Sequence, residues 1–123
     1  MLAAQTGGLA MHEMSLAEGI LKIALEYAED NEAKKVEEIG LLIGEMSGVV
    51  VDSLDFGFKM LAKDTIAEGA KLVVKEIPLI GRCTKCGEEM HVDHYDFWCK
   101  KCGDGVLEII SGREMQVEYL EVE

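Results

Sequence analysis

Two cysteine pairs constrain the fold of this chain more than any other feature. They are Cys83-Thr84-Lys85-Cys86 and Cys99-Lys100-Lys101-Cys102, and a glycine follows each pair. A Cys-x-x-Cys turn places two thiolates on one side of a tight loop, and the glycine after it is free to take a positive φ. Two such turns facing each other form a tetrahedral cage of four sulfurs, as in closed structural zinc sites. The spacing therefore predicts a structural Zn²⁺ bound by Cys83, Cys86, Cys99 and Cys102.

Other chemistries use the same cysteines. Two disulfides, a thioredoxin-like redox pair and a rubredoxin-like iron site for electron transfer are the alternatives to zinc. The N-terminus lacks the basic and long apolar regions of a signal peptide, and no run reaches the roughly 18 apolar residues of a membrane span. We therefore expect a cytoplasmic protein whose cysteines stay reduced for metal binding.

The charge balance limits the partners. The formal net charge is −12, from 24 acidic and 12 basic residues. Because phosphate backbones attract basic surfaces, nucleic acid is disfavoured, whereas metal cations or a basic protein surface suit this charge. No nucleophile arrangement, paired catalytic carboxylates or glycine-rich phosphate loop stands out. We therefore expect a protein that is not an enzyme, and an adaptor without a transported metal is one alternative.

The hydrophobic pattern predicts a small α+β fold. Residues 1–10 carry no charged side chain and contain a Gly-Gly pair, which indicates a disordered leader or an extension from an upstream start. Ser15-Leu16-Ala17-Glu18 predicts a capping box that opens a helix ending near Asn31. The predicted buried side of that helix comprises Leu16, Ala17, Ile20, Ile23, Ala24, Tyr27 and Ala28.

Further elements follow in order. Strands are predicted at 36–46, 71–77, 106–110 and 114–122, with a second helix capped by Asp52 or Ser53 between the first two. A strand–helix–strand unit of this length predicts parallel strands with a right-handed crossover. We thus expect two helices packed on a small mixed three-stranded sheet, formed by residues 11–81 plus 106–123. A zinc-ribbon-like domain at 82–105 is inserted between its strands.

Histidines supply the remaining metal-binding candidates. If Met11 is the first residue, its amine, the His12 amide and imidazole, and the Glu13 amide can form a square plane of nitrogens, which suits Ni(II) or Cu(II). The alternative is a solvated histidine near a frayed terminus. His91 and His94 lie between the cysteine pairs, either as exposed side chains or as auxiliary ligands. We expect Trp98 to pack over the zinc domain.

Three motifs together resemble the HypA/HybF family of nickel-insertion proteins. They are Met-His-Glu-Met-Ser-Leu-Ala at 11–17, Ile-Gly-Glu-Met-Ser-Gly at 43–48 and the double Cys-x-x-Cys at 83–102. The resemblance covers the chain from Met11 to its end. It implies a nickel metallochaperone for [NiFe]-hydrogenase maturation with a two-domain α/β fold and an inserted zinc domain.

The resemblance also assigns residues and partners. His12 matches the family's nickel-ligating histidine, Glu13 the adjacent glutamate, and the four cysteines its zinc ligands, while Asp52 is the nearest match to an additional acidic contact. The implied partners are a HypB-type GTPase, the hydrogenase large subunit and, in some organisms, the urease system. In the family the terminal amine binds nickel, so the ten residues before Met11 are a departure, and we expect the native chain to start at Met11. The residues leave the oligomeric state open, a homodimer included.

Overall fold

A computed structural model describes the backbone of residues 2–123 and the side chains of residues 12–123. Along this part of the chain the elements are α1 (Leu2–Asp30), β1 (Val36–Gly44), a 3-10 turn (Glu45–Ser47), α2 (Val51–Ala62), β2 (Lys71–Ile77), β3 (Ile80–Cys83), β4 (Glu89–His91), β5 (Leu107–Ser111) and β6 (Met115–Val122). The strands form two three-stranded sheets, ordered β2-β1-β6 and β4-β3-β5. The predicted α+β class, with two helices and a cysteine unit resembling a zinc ribbon, is confirmed.

Helix α1 begins before the predicted capping box. It starts at Leu2 and runs through Ser15 and Glu18, so the prediction that Ser15 caps its N-terminus is wrong. Inside a helix the N–H groups of these residues donate to the carbonyls four residues earlier. No unpaired N–H group is then left for a capping side chain to bind. The backbone of the predicted leader belongs to α1 from Leu2 onward, while Met1 lies outside the described residues.

The buried side of α1 consists mainly of alanines. Ala17, Ile20, Ala24 and Ala28 are at most 4% exposed, whereas Ile23 and Tyr27 are 48% and 44% exposed. The prediction that Ile23 and Tyr27 belong to the core is therefore wrong. Helix α1 packs against α2, and small side chains at the contact let two helices approach closely. The larger Ile23 and Tyr27 lie on the neighbouring, solvent-facing part of the helix surface.

Helix α2 begins at Val51 with Val50 as its N-cap residue. The prediction that Asp52 or Ser53 caps this helix is therefore wrong. Leu54 and Phe58 are buried at the predicted spacing. Gly57 also lies where a neighbour packs closely, as expected, because a Cβ there would be 2.8 Å from the sulfur of Met14 on α1.

Strand β1 is the centre of the first sheet. Ile39, Leu41 and Ile43 are buried on one of its faces, as predicted. On the other face the Tyr119 ring of β6 covers Gly40, and the Tyr119 hydroxyl donates to Glu38 Oε2 at 2.5 Å. The last strand thus returns to the first sheet, as expected.

The chain folds into two compact units, each built from separated segments. Among the described residues the first comprises 2–41, Val49–Val74 and Val117–Glu123, and the second comprises Leu42–Gly48 and Lys75–Gln116. The second unit contains the cysteine module (residues 82–105) together with the residues before it and the end of β1. None of the helices within residues 2–123 combines the length and apolar character that a membrane crossing requires.

The core of the second unit contains two of the cysteines. Its buried residues are Leu79, Cys83, Val92, Cys99 and Leu107, with Met46, Met90, Phe97 and Ile109 packed against them. The β3 strand pairs antiparallel with β4 on one side and β5 on the other, and Cys83 pairs with Leu107. This small sheet holds the first cysteine turn in place.

Candidate metal centre

The four cysteine sulfurs come together as the spacing predicts. Their Sγ atoms all lie within 4.8 Å of one another, and the Cys83–Cys102 and Cys86–Cys99 separations are 3.6 and 3.7 Å. A disulfide would need a separation of about 2.05 Å, and all four cysteines are free. Four sulfurs about 2.3 Å from a central Zn²⁺ lie roughly 3.8 Å apart, so the cage has the size of a tetrahedral zinc site.

The two turns are built alike. Gly87 N–H donates to the Cys83 carbonyl at 3.0 Å and Gly103 N–H donates to the Cys99 carbonyl at 3.1 Å. Both glycines take the predicted positive φ, 78° and 74°. A left-handed conformation at this position is easiest for glycine, which lacks a Cβ. The sequence Cys-x-x-Cys-Gly therefore specifies the turn as well as the ligands.

Backbone N–H groups favour the thiolate form of the first cysteine in each pair. The N–H groups of Cys86 and Lys85 donate to Cys83 Sγ at 3.3 Å, and these bonds help lower the pKa of Cys83 to about 6. The Cys102 N–H donates to Cys99 Sγ at 3.3 Å and lowers the pKa of that thiol. Because thiolates are the species that bind metal, these N–H groups favour the metal-binding form of Cys83 and Cys99, whereas burial and hydrogen bonds with the other thiols raise the pKa of Cys86 to about 11.

The donor set and its surroundings fit zinc. Gly105 packs directly against Cys83, since a Cβ at Gly105 would overlap Cys83 Sγ. All four positions of the cage are protein ligands, so a bound Zn²⁺ would have no open site for water or substrate and would act by cross-linking the two turns. The free energy of zinc binding to this cage would contribute to the folding of the second unit.

His91 has carboxylate partners that sequence analysis missed. Its Nε2 and Nδ1 each lie 2.8 Å from a carboxylate oxygen, of Glu45 and Asp93 respectively. Glu45 also accepts the Leu79 N–H at 2.9 Å. The predicted shared side of His91 and Asp93 is thus correct, but no spacing rule points to Glu45, 46 residues earlier. Hydrogen bonds that the charged ring donates to Glu45 and, to a smaller extent, to Asp93 raise the pKa of His91 above 6.5.

The other predicted auxiliary ligands lie elsewhere. His94 is exposed, with a positive φ of 52°. Within residues 12–123 the group of side chains able to hold a metal ion is the set of four cysteines, without His91 or His94. Asp52 is exposed in the first turn of α2 and lines the same concave surface as Glu13 and Met14.

His12 and Glu13 lie side by side on α1 but in different environments. His12 is exposed, while Glu13 is 5% exposed and is the buried charged side chain among residues 12–123. Glu13 continues the stripe formed by Ala17 and Ile20, and its Oε2 accepts the Val50 N–H at 3.0 Å. The Glu13 carboxylate therefore accepts the N–H of the N-cap residue of α2, the bond that a glutamate in the first turn of the helix makes in a capping box. The side chain of Met11 lies outside the described residues.

The continuous helix affects the predicted nitrogen ligands. In a helix that starts at Leu2, the amide N–H groups of His12 and Glu13 are directed at carbonyls one turn earlier. A helix that started at Met11 would leave these same N–H groups unpaired, since the first four have no intrahelical partner. The residues before Met11 thus decide whether the two amides are available to a metal.

Taken together, an α+β fold, a four-cysteine cage and an exposed histidine on the first helix define a small metal-binding protein. Residues 11–122 match the family model described as hydrogenase/urease nickel incorporation, metallochaperone, hypA. The chain belongs to the HypA family.

Known relatives agree with this assignment. The hydrogenase maturation factor HypA of Geobacter metallireducens is 40% identical over 113 residues, covering 92% of this chain and 100% of the relative. That of Dehalococcoides mccartyi is 41% identical over 92% of this chain and 95% of its own length. A solution structure of a HypA protein superposes with a TM-score of 0.70 at 25% identity, covering 92% and 97% of the two chains. The Helicobacter pylori nickel metallochaperone HypA shares the fold, with a TM-score of 0.61 at 22% identity over 89% and 96% of the chains.

Proposed function

We propose that this protein is a non-enzymatic nickel carrier of the cytoplasm that delivers Ni(II), with a HypB-type GTPase, to the large subunit of a [NiFe]-hydrogenase. Delivery to the urease system is included where a cell has one. The observation that carries this proposal is the pairing of exposed His12 with anchored Glu13 on the first helix of a nickel-incorporation family. An exposed site suits hand-over, because a partner can reach the metal without unfolding the carrier.

The nickel ligands are nitrogens in this proposal. The terminal amine of a chain starting at Met11, the His12 amide and imidazole, and the Glu13 amide provide four donors for the square-planar geometry that Ni(II) accepts. The Glu13 side chain has a different task, since its carboxylate is buried and holds the Val50 N–H. Asp52 lines the concave surface beside Glu13 and provides an outer acidic contact. Zn²⁺ in the cysteine cage is structural.

A nickel titration of four zinc-loaded chains tests this site. The chains start at Met1, at Met11, at Met11 with His12→Ala, and at Met11 with His94→Ala as a matched control for an exposed histidine. We expect the Met11 chain and its His94→Ala control to bind equally and best, with the absorption of planar Ni(II). The Met1 chain should bind more weakly, because its helix pairs both amides. Equal affinity in all four chains would overturn the proposal.

Delivery needs a separate readout. In a strain that lacks its own nickel-insertion protein, the Met11 chain should restore hydrogenase activity and the His12→Ala variant should not. Restoration by both chains would show that hydrogenase maturation does not require the His12 site.

A further inference from the structure

The second unit presents aromatic side chains to solvent on the connection between β4 and β5. Tyr95 is 63% and Trp98 59% exposed, and Val106, which pairs with Trp98 in an isolated antiparallel bridge, is 49% exposed. We call these three residues the aromatic tip. The expectation that Trp98 packs over the zinc domain is wrong. Phe97 packs against the core instead, and in an extended segment the next side chain points the opposite way.

The backbone beside Trp98 takes an unfavourable conformation to build this surface. Asp96 N–H donates to the Asp93 carbonyl at 2.9 Å, and the two residues between them, His94 and Tyr95, have φ values of 52° and 58°. A turn with two positive φ values strongly prefers Asn-Gly or Gly-Gly. Neither His94 nor Tyr95 gains burial in return, since both are exposed. Strain without a packing benefit is typical of a functional surface.

Asp96 fixes the orientation of the aromatic tip. Its Oδ1 accepts the Trp98 N–H at 3.2 Å, which ties the Trp98 backbone to the turn. A carboxylate has two oxygens and about four acceptor sites, so Asp96 keeps acceptor capacity for a cation. The turn therefore places an indole face and a carboxylate within two residues of each other.

The charges around the aromatic tip select the partner. The four Lys and Arg side chains of the cysteine module are each held by a carboxylate of the same unit. These pairs are Arg82–Glu89, Lys85–Asp104, Lys100–Asp93 and Lys101–Glu88, with N···O distances of 2.6–3.0 Å. The module thus offers an acidic or nucleic-acid partner no unpaired Lys or Arg, while Asp96 makes no ion pair among the described side chains. An arginine can stack on an indole face and pair with a carboxylate at once.

We propose that the aromatic tip is a docking surface for an arginine-containing, partly apolar segment of a partner protein. The arginine stacks on Trp98 and pairs with Asp96, and an apolar neighbour packs on Val106 and Tyr95. Tryptophan, tyrosine and arginine are the residues that most often dominate binding energy at interfaces. This surface is independent of His12 and of nickel, so its test does not depend on the proposed nickel site.

Trp98 is the single tryptophan of the chain, and its fluorescence therefore reports this surface directly. The zinc-loaded full chain is titrated with a synthetic peptide of alternating arginine and leucine, and with the same peptide carrying glutamate for arginine. We expect a saturable blue shift with the arginine peptide and none with the glutamate peptide. Equal responses to both, no response to the arginine peptide, or an emission shift that follows protein concentration alone would each overturn the proposal.

Three variants separate this site from general attraction to an acidic protein. Asp96→Asn keeps the oxygen that accepts the Trp98 N–H but removes the charge, and should weaken arginine-peptide binding about three- to fivefold. Tyr95→Ala should weaken it to a similar extent. Glu26→Gln removes an equal charge from the exposed surface of α1 and should leave binding unchanged. If Glu26→Gln weakens binding as much as Asp96→Asn, the attraction is nonspecific and the proposal fails. Unchanged zinc content and thermal midpoint verify that each variant is folded.

Discussion

The buried carboxylate of Glu13 should contribute to stability before any nickel is bound. Its hydrogen bond to the Val50 N–H joins α1 to the start of α2. A hydrogen bond to a charged group is worth about 1.5–3 kcal/mol, and a negative charge near a helix N-terminus adds about 0.3–1 kcal/mol. Burying a carboxylate opposes these gains. We therefore expect Glu13→Ala to lower the free energy of unfolding by about 2 kcal/mol and Glu13→Gln by about 1 kcal/mol, because glutamine keeps an acceptor oxygen.

The assay is chemical and thermal unfolding of the zinc-loaded, nickel-free chain. For a protein of this size, 2 kcal/mol corresponds to a decrease in Tm of roughly 6–12 °C. Glu18→Ala is the matched control, since Glu18 is an exposed glutamate on the same helix and should change stability by less than about 0.5 kcal/mol. If Glu13→Ala is no more destabilising than Glu18→Ala, or if Glu13→Gln is as harmful as Glu13→Ala, the reasoning is wrong.

Two further predictions concern the second unit. Gly105→Ala should weaken zinc binding at least tenfold in a chelator competition, because the new Cβ would overlap Cys83 Sγ. The control is Gly19→Ala, since nothing lies within 4 Å of a Cβ at that position. Equal zinc affinity in the two variants would contradict the geometry. The pKa of His91, followed by NMR, should lie above 6.5 and fall towards it in Glu45→Gln. Since the folded-state pKa is raised, the stabilisation from charged His91 should be complete below pH 6.5 and lost as pH rises through the folded value, and an unshifted pKa would refute the pairing.

Local sequence signals predicted most of the second half of the chain. Cys-x-x-Cys-Gly encodes ligands, turn and positive φ within five residues, so Cys83 and Cys99 were placed without knowledge of the rest of the fold. The predicted strand at 71–77 is also observed as Lys71–Ile77, because Gly69 precedes it and Pro78 stops it. Signals of this kind depend only on neighbours in sequence.

Features that depend on residues distant in sequence were not predicted. Glu13 accepts the N–H of Val50 at the start of α2 from another helix, and no pattern around Asp52 or Ser53 reveals a partner 37 residues away. Trp98 is expected to pack over the zinc domain, yet it is exposed and its neighbour Phe97 packs against the core. Large apolar residues are not always the buried ones.

The division into separated segments has a consequence for biosynthesis. The first unit includes Val117–Glu123 and the second includes strand β5, so both contain residues from the last sixth of the chain. During translation the early segments leave the ribosome long before these residues are made. Neither unit can then be completed before these residues have been made, even though all four cysteines precede them in the chain. A nonsense codon after the second cysteine pair would retain every proposed ligand and still abolish both units.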